Sequence, residues 1–164
     1  SGYTALVAAT REGHDEIVKL LSKEADQNTS VHNKELYEAA ERGDATGVQS
    51  ALSQGANVNY ENPEEGGATS LHVAARGGYH DVVQILLSAG AKIRLRDTRG
   101  DTALIEAARG GNCDVVELLL KKGADPSHLN YHGNTALIAA AERGHYDTVQ
   151  LLLKNGANQS TRNI

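Results

Sequence analysis

The chain has 164 residues, 40% hydrophobic and 23% charged, with a formal net charge of -5; this is the composition of a folded domain with a real core, and the acid excess argues against a nucleic-acid partner. Phe, Trp and Met are absent, so aliphatic residues and alanine must build the core, and the missing Met is what a processed or excised segment would show. The single cysteine, Cys113, excludes an intrachain disulfide framework and fits a reducing, intracellular compartment, cytoplasmic or nuclear; no apolar run approaches a membrane span, so no membrane insertion is expected.

In chain order, the first segment carries Thr4, Leu6, Gly13-His14 and the run Ile17-Val18-Lys19-Leu20-Leu21. That predicts a short helix from Thr4 to the glycine, then a second helix. The next, KELYEAAERGDATGVQSALSQGANVN (34–59), carries Ala39-Ala40, Gly43 and Gly55-Ala56. Three more segments repeat one pattern. Gly-x-Thr-x-Leu opens each, at Thr69-Ser70-Leu71, Thr102-Ala103-Leu104 and Thr135-Ala136-Leu137. An Ala-Ala pair follows (74–75, 107–108, 140–141), then Gly78, Gly111 or Gly144, an apolar run, and Gly-Ala. The threonines are 33 residues apart both times (102 − 69, 135 − 102). A fixed period of this size is the mark of a solenoid.

Each unit has a physical reading. The threonine hydroxyl caps the free amides of a helix start. Alanine lets a neighbouring helix approach closely. The glycine nine residues after Thr stops the first helix. Val and Leu at 3 and 4 spacing give the second helix a core stripe. A further glycine at 90, 123 or 156 ends it at C′. About ten polar residues then lead to the next unit, expected as a projecting hairpin.

This pattern resembles the ankyrin repeat, with its Gly-x-Thr-Pro-Leu-His-x-Ala-Ala and Gly-Ala-Asp signatures. The resemblance spans nearly the whole chain. It departs at the usual Pro, here Ala5, Ser70, Ala103 or Ala136, and at the His after Leu, present only as His72. It implies an all-α solenoid: a single domain, 1–164, of five helix-turn-helix units at about 1–33, 34–66, 67–99, 100–132 and 133–164.

The end units look displaced. Terminal repeats need one polar face. The second unit is polar where others are apolar, with Glu38 at the Val73 position and Gly47, Ser50 and Ala51 in place of core residues; it reads as an amino-terminal cap. The first unit has Ser22 where others have Leu87, Leu120 and Leu153, and Ala25-Asp26 in place of Gly-Ala; it reads as a carboxy-terminal cap. Written after residue 164, Thr4 would be position 168, and 168 − 135 is again 33. From Thr4 to Lys34 the step is only 30. Three arrangements follow. Residues 1–26 dock on the far end of their own array, although a link from Ala25 to Lys34 reaches about 30 Å against about 40 Å for four repeat steps. Or they dock on the 133–164 unit of another molecule, by swapping or head to tail. Or the units stack in written order with a shortened hairpin.

No phosphate loop, nucleophile elbow or catalytic constellation is present, so no enzyme activity and no cofactor are expected. His128 and His132 have i, i+4 spacing but fall in a hairpin, which reads as solvated loop rather than metal ligation. Binding of another protein or peptide is the positive expectation. In ankyrin-like arrays the varying residues of hairpin tips and inner-helix ends line a concave face. By that resemblance the partner-binding residues are Tyr3, Arg11, Tyr60, Arg76, Arg94, Arg96, Arg99, Asp101, Arg109, Tyr131, His132, Asn134 and Arg143. An arginine recurs near the same place on every first helix, which suggests a basic stripe for an acidic partner. The competing reading is that these arginines pair with Glu12, Glu41, Glu106 and Glu142. Self-association through 1–26 and 133–164, or service as a regulatory segment of a larger enzyme or channel, are the alternatives.

Overall fold

The computed structural model describes residues 4–157. Nine α-helices and no strand occur among the described residues. They are α1 Ala5–Arg11, α2 Asp15–Arg42, α3 Ala45–Ser53, α4 Ser70–Gly77, α5 His80–Ser88, α6 Ala103–Gly110, α7 Cys113–Lys121, α8 Ala136–Glu142 and α9 Tyr146–Lys154. A single 3₁₀ turn, Pro63–Glu65, shapes the acidic hairpin tip. Among the described residues no helix is long and apolar enough to cross a membrane.

The expected local devices are in place. Thr102 and Thr135 accept from the amides of Ile105 and Ile138 at 3.5 and 3.3 Å, and Asp44 does the same for α3 from Gly47 at 2.9 Å. At Thr69 the box closes through the surviving histidine: His72 Nδ1 accepts from the Thr69 amide at 3.1 Å. Gly43, Gly78 and Gly111 stop their helices with φ between 71° and 75°, a left-handed conformation costly to other residues.

Helices α4, α6 and α8 pack side by side as an inner layer, continued by the last turns of α2. Helices α3, α5, α7 and α9 form the outer layer. The core between them joins Leu36, Leu71 and Leu104 to Val48, Leu86, Leu119 and Leu152, all essentially inaccessible. Each such leucine contributes about 2 kcal/mol of burial free energy. Ala39, Ala40, Ala74, Ala75, Ala107 and Ala108 are also buried, which is why the inner helices can sit so close.

Hydrogen bonds stitch the hairpins from one unit to the next. Thr98 N donates to Gly66 O at 2.8 Å and Tyr131 N to Arg99 O at 3.0 Å. Asn59 Oδ1 accepts from Lys92 N at 2.7 Å, and Asn130 Nδ2 donates to Asp101 Oδ1 at 2.7 Å. These fix the groove wall.

One expectation is corrected. The hairpin expected between the first two units is helix: α2 runs unbroken through residues 15–42. Its 28 residues span about 42 Å. No glycine or proline lies between Gly13 and Gly43, and Ala25-Asp26 supplies no left-handed stop. Residues 23–30 are exposed on all sides. Stacking in written order through a shortened hairpin does not occur, because no hairpin exists there. Helix α1 instead folds back on the first turns of α2, and the exposed middle of α2 joins this pair to the array.

Candidate partner-binding groove

The groove is built where the tip of the 90–102 hairpin meets the C-terminal turn of α6. The turn Asp97-Thr98-Arg99-Gly100-Asp101 is tied by Asp97 Oδ1, which accepts from the amides of Arg99 and Asp101, both at 2.9 Å. This aims Arg99 across the groove floor. Arg99 Nη2 meets Asp97 Oδ2 at 2.8 Å and Glu106 Oε1 at 2.6 Å. Arg109 Nη1 lies 2.9 Å from Glu106 Oε1 and 2.9 Å from Asp101 Oδ2. Three buried carboxylates therefore share two guanidinium groups. Among the described residues these acids are the one group close enough to hold a metal ion, and arginine supplies the positive charge.

Burial alone would raise the Asp97 carboxyl, but the Arg99 side chain and the two amides hold it below the usual range. Burial pushes Glu106 up, against the pull of Arg109 and Arg99. Burial would lower Arg99, yet Asp97, Glu106 and Asp101 raise it further. Glu106 Oε2 is buried with no hydrogen-bond partner.

Beside this network lies a cavity of about 170 Å³. Tyr37, Glu65, His72, Arg76, Arg99 and Glu106 are among its walls. Tyr37 is pushed up to about 12, first by burial and then by Glu65 and Glu41, so its hydroxyl stays a donor. His72 is lowered by burial. Its Nδ1 faces the Thr69 amide, so Nε2 carries the proton and donates to Asp101 O at 3.0 Å. Arg76 is exposed and forms no ion pair among the described residues.

The structure sorts the expected site residues. Arg76, Arg99, Asp101 and Arg109 come together. Tyr60 lines a neighbouring pocket that shares Tyr37 and Glu65 with the cavity. Arg94 and Arg96 line a separate pocket with Thr102, Asp125 and His128, so they do not thicken a stripe at Arg76. Tyr131 and His132 are exposed, and Asn134 is half-buried at the base of its hairpin. Tyr3 lies outside the described residues. Arg11 is exposed on α1, far along the chain from the groove network. Arg143 is exposed just beyond α8.

The uniform basic stripe is corrected as well. Counted from the first residue of each unit's motif, Arg11, Arg76 and Arg109 stand at one position, while Arg42 and Arg143 stand one residue later, where the helix has turned by about 100°. Arg109 pairs with Glu106, and Arg42 with Glu38 at 3.8 Å rather than with Glu41. His128 is not merely solvated: its Nε2 donates to Gly100 O at 3.0 Å. Cys113 opens α7, with Sγ 3.3 Å from Thr148 Oγ1. Sequence reasoning missed Tyr37 and Asp97. An Asp four residues before a second Asp, around Thr-Arg-Gly, was the available signal for the turn.

Stacked helix pairs joined by hairpins that bond from one unit to the next are the architecture of a repeat solenoid. The chain belongs to the ankyrin-repeat family. The family pattern "Ankyrin repeats (3 copies)" matches residues 36–130 and 90–163, and "Ankyrin repeat" matches 1–33. Among similar proteins, ankyrin repeat and KH domain-containing protein mask-1 of Caenorhabditis elegans is 32% identical over 58% of this chain and 4% of its own length. The Arf-GAP with coiled-coil, ANK repeat and PH domain-containing protein 2 of Gallus gallus is 40% identical over 44% of this chain and 9% of its own. The human 2-5A-dependent ribonuclease is 43% identical over 42% of this chain and 9% of its own. The chain thus spans less than a tenth of the length of these relatives.

Proposed function

We propose that the protein is a non-enzymatic binding module that holds another protein or peptide along its concave face, with its five units acting as one domain. The family assignment supports the general class. The particular site we favour is the cavity among Tyr37, Arg76 and Glu106, and the group that suits it is a partner carboxylate. The observation that carries this reading is the contrast between arginines. Arg99 and Arg109 are already committed to Asp97, Asp101 and Glu106, whereas Arg76 is exposed beside a tyrosine hydroxyl that remains a donor. A carboxylate there would gain a charge-assisted contact from Arg76 and a neutral one from Tyr37. Tyr60, Tyr131 and His132 serve as adaptable contacts along the finger tips, with Asn134 at the base of its hairpin.

Selection from a displayed random-peptide library tests this. Asp and Glu should be enriched among peptides held by the wild type, and Arg76→Ala should abolish that enrichment while leaving the circular dichroism unchanged. Peptides without acidic residues, or the same acidic set with Arg76→Ala, would count against the reading. A second reading is supported by the short span on the relatives: the chain serves as a regulatory ankyrin segment of a larger enzyme or channel. Its groove would then address another part of the same assembly.

A further inference from the structure

The cavity at Arg76 has a neighbour of opposite charge. A pocket of about 420 Å³ lies between the last turns of α2 and the acidic hairpin tip. Lys34, Tyr37, Glu38 and Glu41 come from α2, where steps of three and four residues put them on one helix face. Tyr60, Glu64 and Glu65 come from the hairpin. That hairpin is two residues longer than those that follow: Gly55 to Gly67 is a step of 12, while Gly90 to Gly100 and Gly123 to Gly133 are steps of 10. The extra length carries the 3₁₀ turn, and Asn62 Oδ1 accepts from the Glu64 amide at 3.1 Å, which fixes the two acids at the tip.

Four carboxylates and one ammonium therefore line this pocket, and little compensates them. Among the described residues Glu41, Glu64, Glu65 and Lys34 form no ion pair, and Glu38 meets Arg42 at a loose 3.8 Å. In the nearby ion network, by contrast, two arginines are shared among three carboxylates. No three of the pocket's acids lie close enough together to hold a metal ion; among the described residues only Asp97, Asp101 and Glu106 do. Carboxylates spread around an open pocket suit a longer, organic cation.

A buried side chain points to the same space. Tyr37 is 4% exposed and lines both this pocket and the Arg76 cavity, and its hydroxyl has no hydrogen-bond partner among the described residues. Glu41 acts on that hydroxyl from the pocket and Arg76 from the cavity, with Glu65 in the wall of both. A phenol donates one hydrogen bond and accepts others, so this one can serve both recesses at once.

We propose that the pocket takes a lysine or arginine side chain of the bound partner, its cation held by Glu41, Glu65 and the Tyr37 hydroxyl and its methylene stem lying along Tyr60. This rests on the reading of the concave face as a binding groove and extends it. The Arg76 cavity takes the partner's carboxylate, the adjacent pocket takes its base, and Tyr37 stands between them. The preferred ligand is then a peptide with an acidic and a basic residue at a fixed spacing.

Sequencing the peptides selected from the displayed library by wild type, by Glu41→Gln/Glu65→Gln and by Arg76→Ala tests this. Both glutamates are exposed, so the double variant should keep the wild-type circular dichroism. Wild type should enrich Lys or Arg at a fixed spacing from Asp or Glu. The double variant should lose the basic position, keep the acidic one, and bind a wild-type-selected peptide about tenfold more weakly. Arg76→Ala should do the reverse, losing the acidic position and keeping the basic one. Basic enrichment without acidic enrichment would sink the carboxylate reading and uphold the cation pocket. Acidic enrichment alone overturns the cation pocket and leaves the carboxylate reading standing. Basic enrichment that the double variant retains also overturns it, by assigning the cation to another surface. Calcium or magnesium titrated into wild type should give no binding heat; heat that the double variant abolishes would assign the pocket to a metal ion and overturn the proposal.

Discussion

Residues 67–132 and residues 4–31 are built from the same repeat pattern and have opposite fates. Both have a threonine cap, a glycine stop and a second helix with an aliphatic stripe. In the central pair of units that stripe is sealed: Val82, Leu86, Val115 and Leu119 are inaccessible. In the hairpin, Val7, Ile17 and Leu20 lie about half exposed. The difference is in the neighbours. A central unit is covered on both sides and stitched at its fingers, whereas α1 has only α2. The repeat pattern therefore specifies a helix pair, and the stability of that pair comes from the interface beside it.

The comparison can be broken most sharply in the core. Leu104→Ala should lower the unfolding free energy by about 3 kcal/mol, while Leu20→Ala should cost well under about 1 kcal/mol. Urea titration checks both. Should the two cost alike, the hairpin would be packed as firmly as the array.

Next comes the ion network, which has no equivalent in the hairpin. Arg109→Ala leaves three buried carboxylates to Arg99 alone and should cost about 2–3 kcal/mol. Replacing Lys19, whose pair with Glu16 is largely exposed to solvent, should be close to neutral.

A smaller contrast lies in the stop glycines. Gly13 and Gly111 have almost the same φ, 72° and 73°. A methyl on Gly111 would collide with the His145 ring, while one on Gly13 meets nothing within 4 Å. Gly111→Ala should therefore cost about 1 kcal/mol more than Gly13→Ala, through the lost stitch to Arg109 O. Thermal unfolding of the pair measures this.

The smallest effect is a pH slope. His72 is held neutral in the folded state, first by burial, so its folded value lies below its unfolded one of about 6.5. The unfolded chain takes up a proton first. The stabilisation is complete above about pH 6.5 and is lost as pH falls through the folded value. Stability of the wild type should drop across that window, and His72→Gln should flatten the drop. Denaturant midpoints at successive pH values decide it. No such slope should appear if the ring stays protonated inside the fold.

The sequence by itself determined the 33-residue period, the helix pairs, their threonine caps and glycine stops, and the all-α stacking class. These are local chemistry repeated in phase, so one chain suffices to read them. The pairing of Arg109 with Glu106 was legible too, because the two are three residues apart on one helix. The continuity of α2 was written in the lack of any glycine or proline between Gly13 and Gly43, but the repeat pattern on either side suggested a boundary there. Only the tertiary structure decided the rest. Arg99 joins Glu106 because a hairpin tip folds against the helix that follows it. Arg94 and Arg96 part from Arg76 because neighbouring fingers enclose a different pocket. Tyr37 enters the cavity wall because units 34–66 and 67–99 stack. Each of these depends on which surfaces meet across repeats, and local propensity carries no record of that.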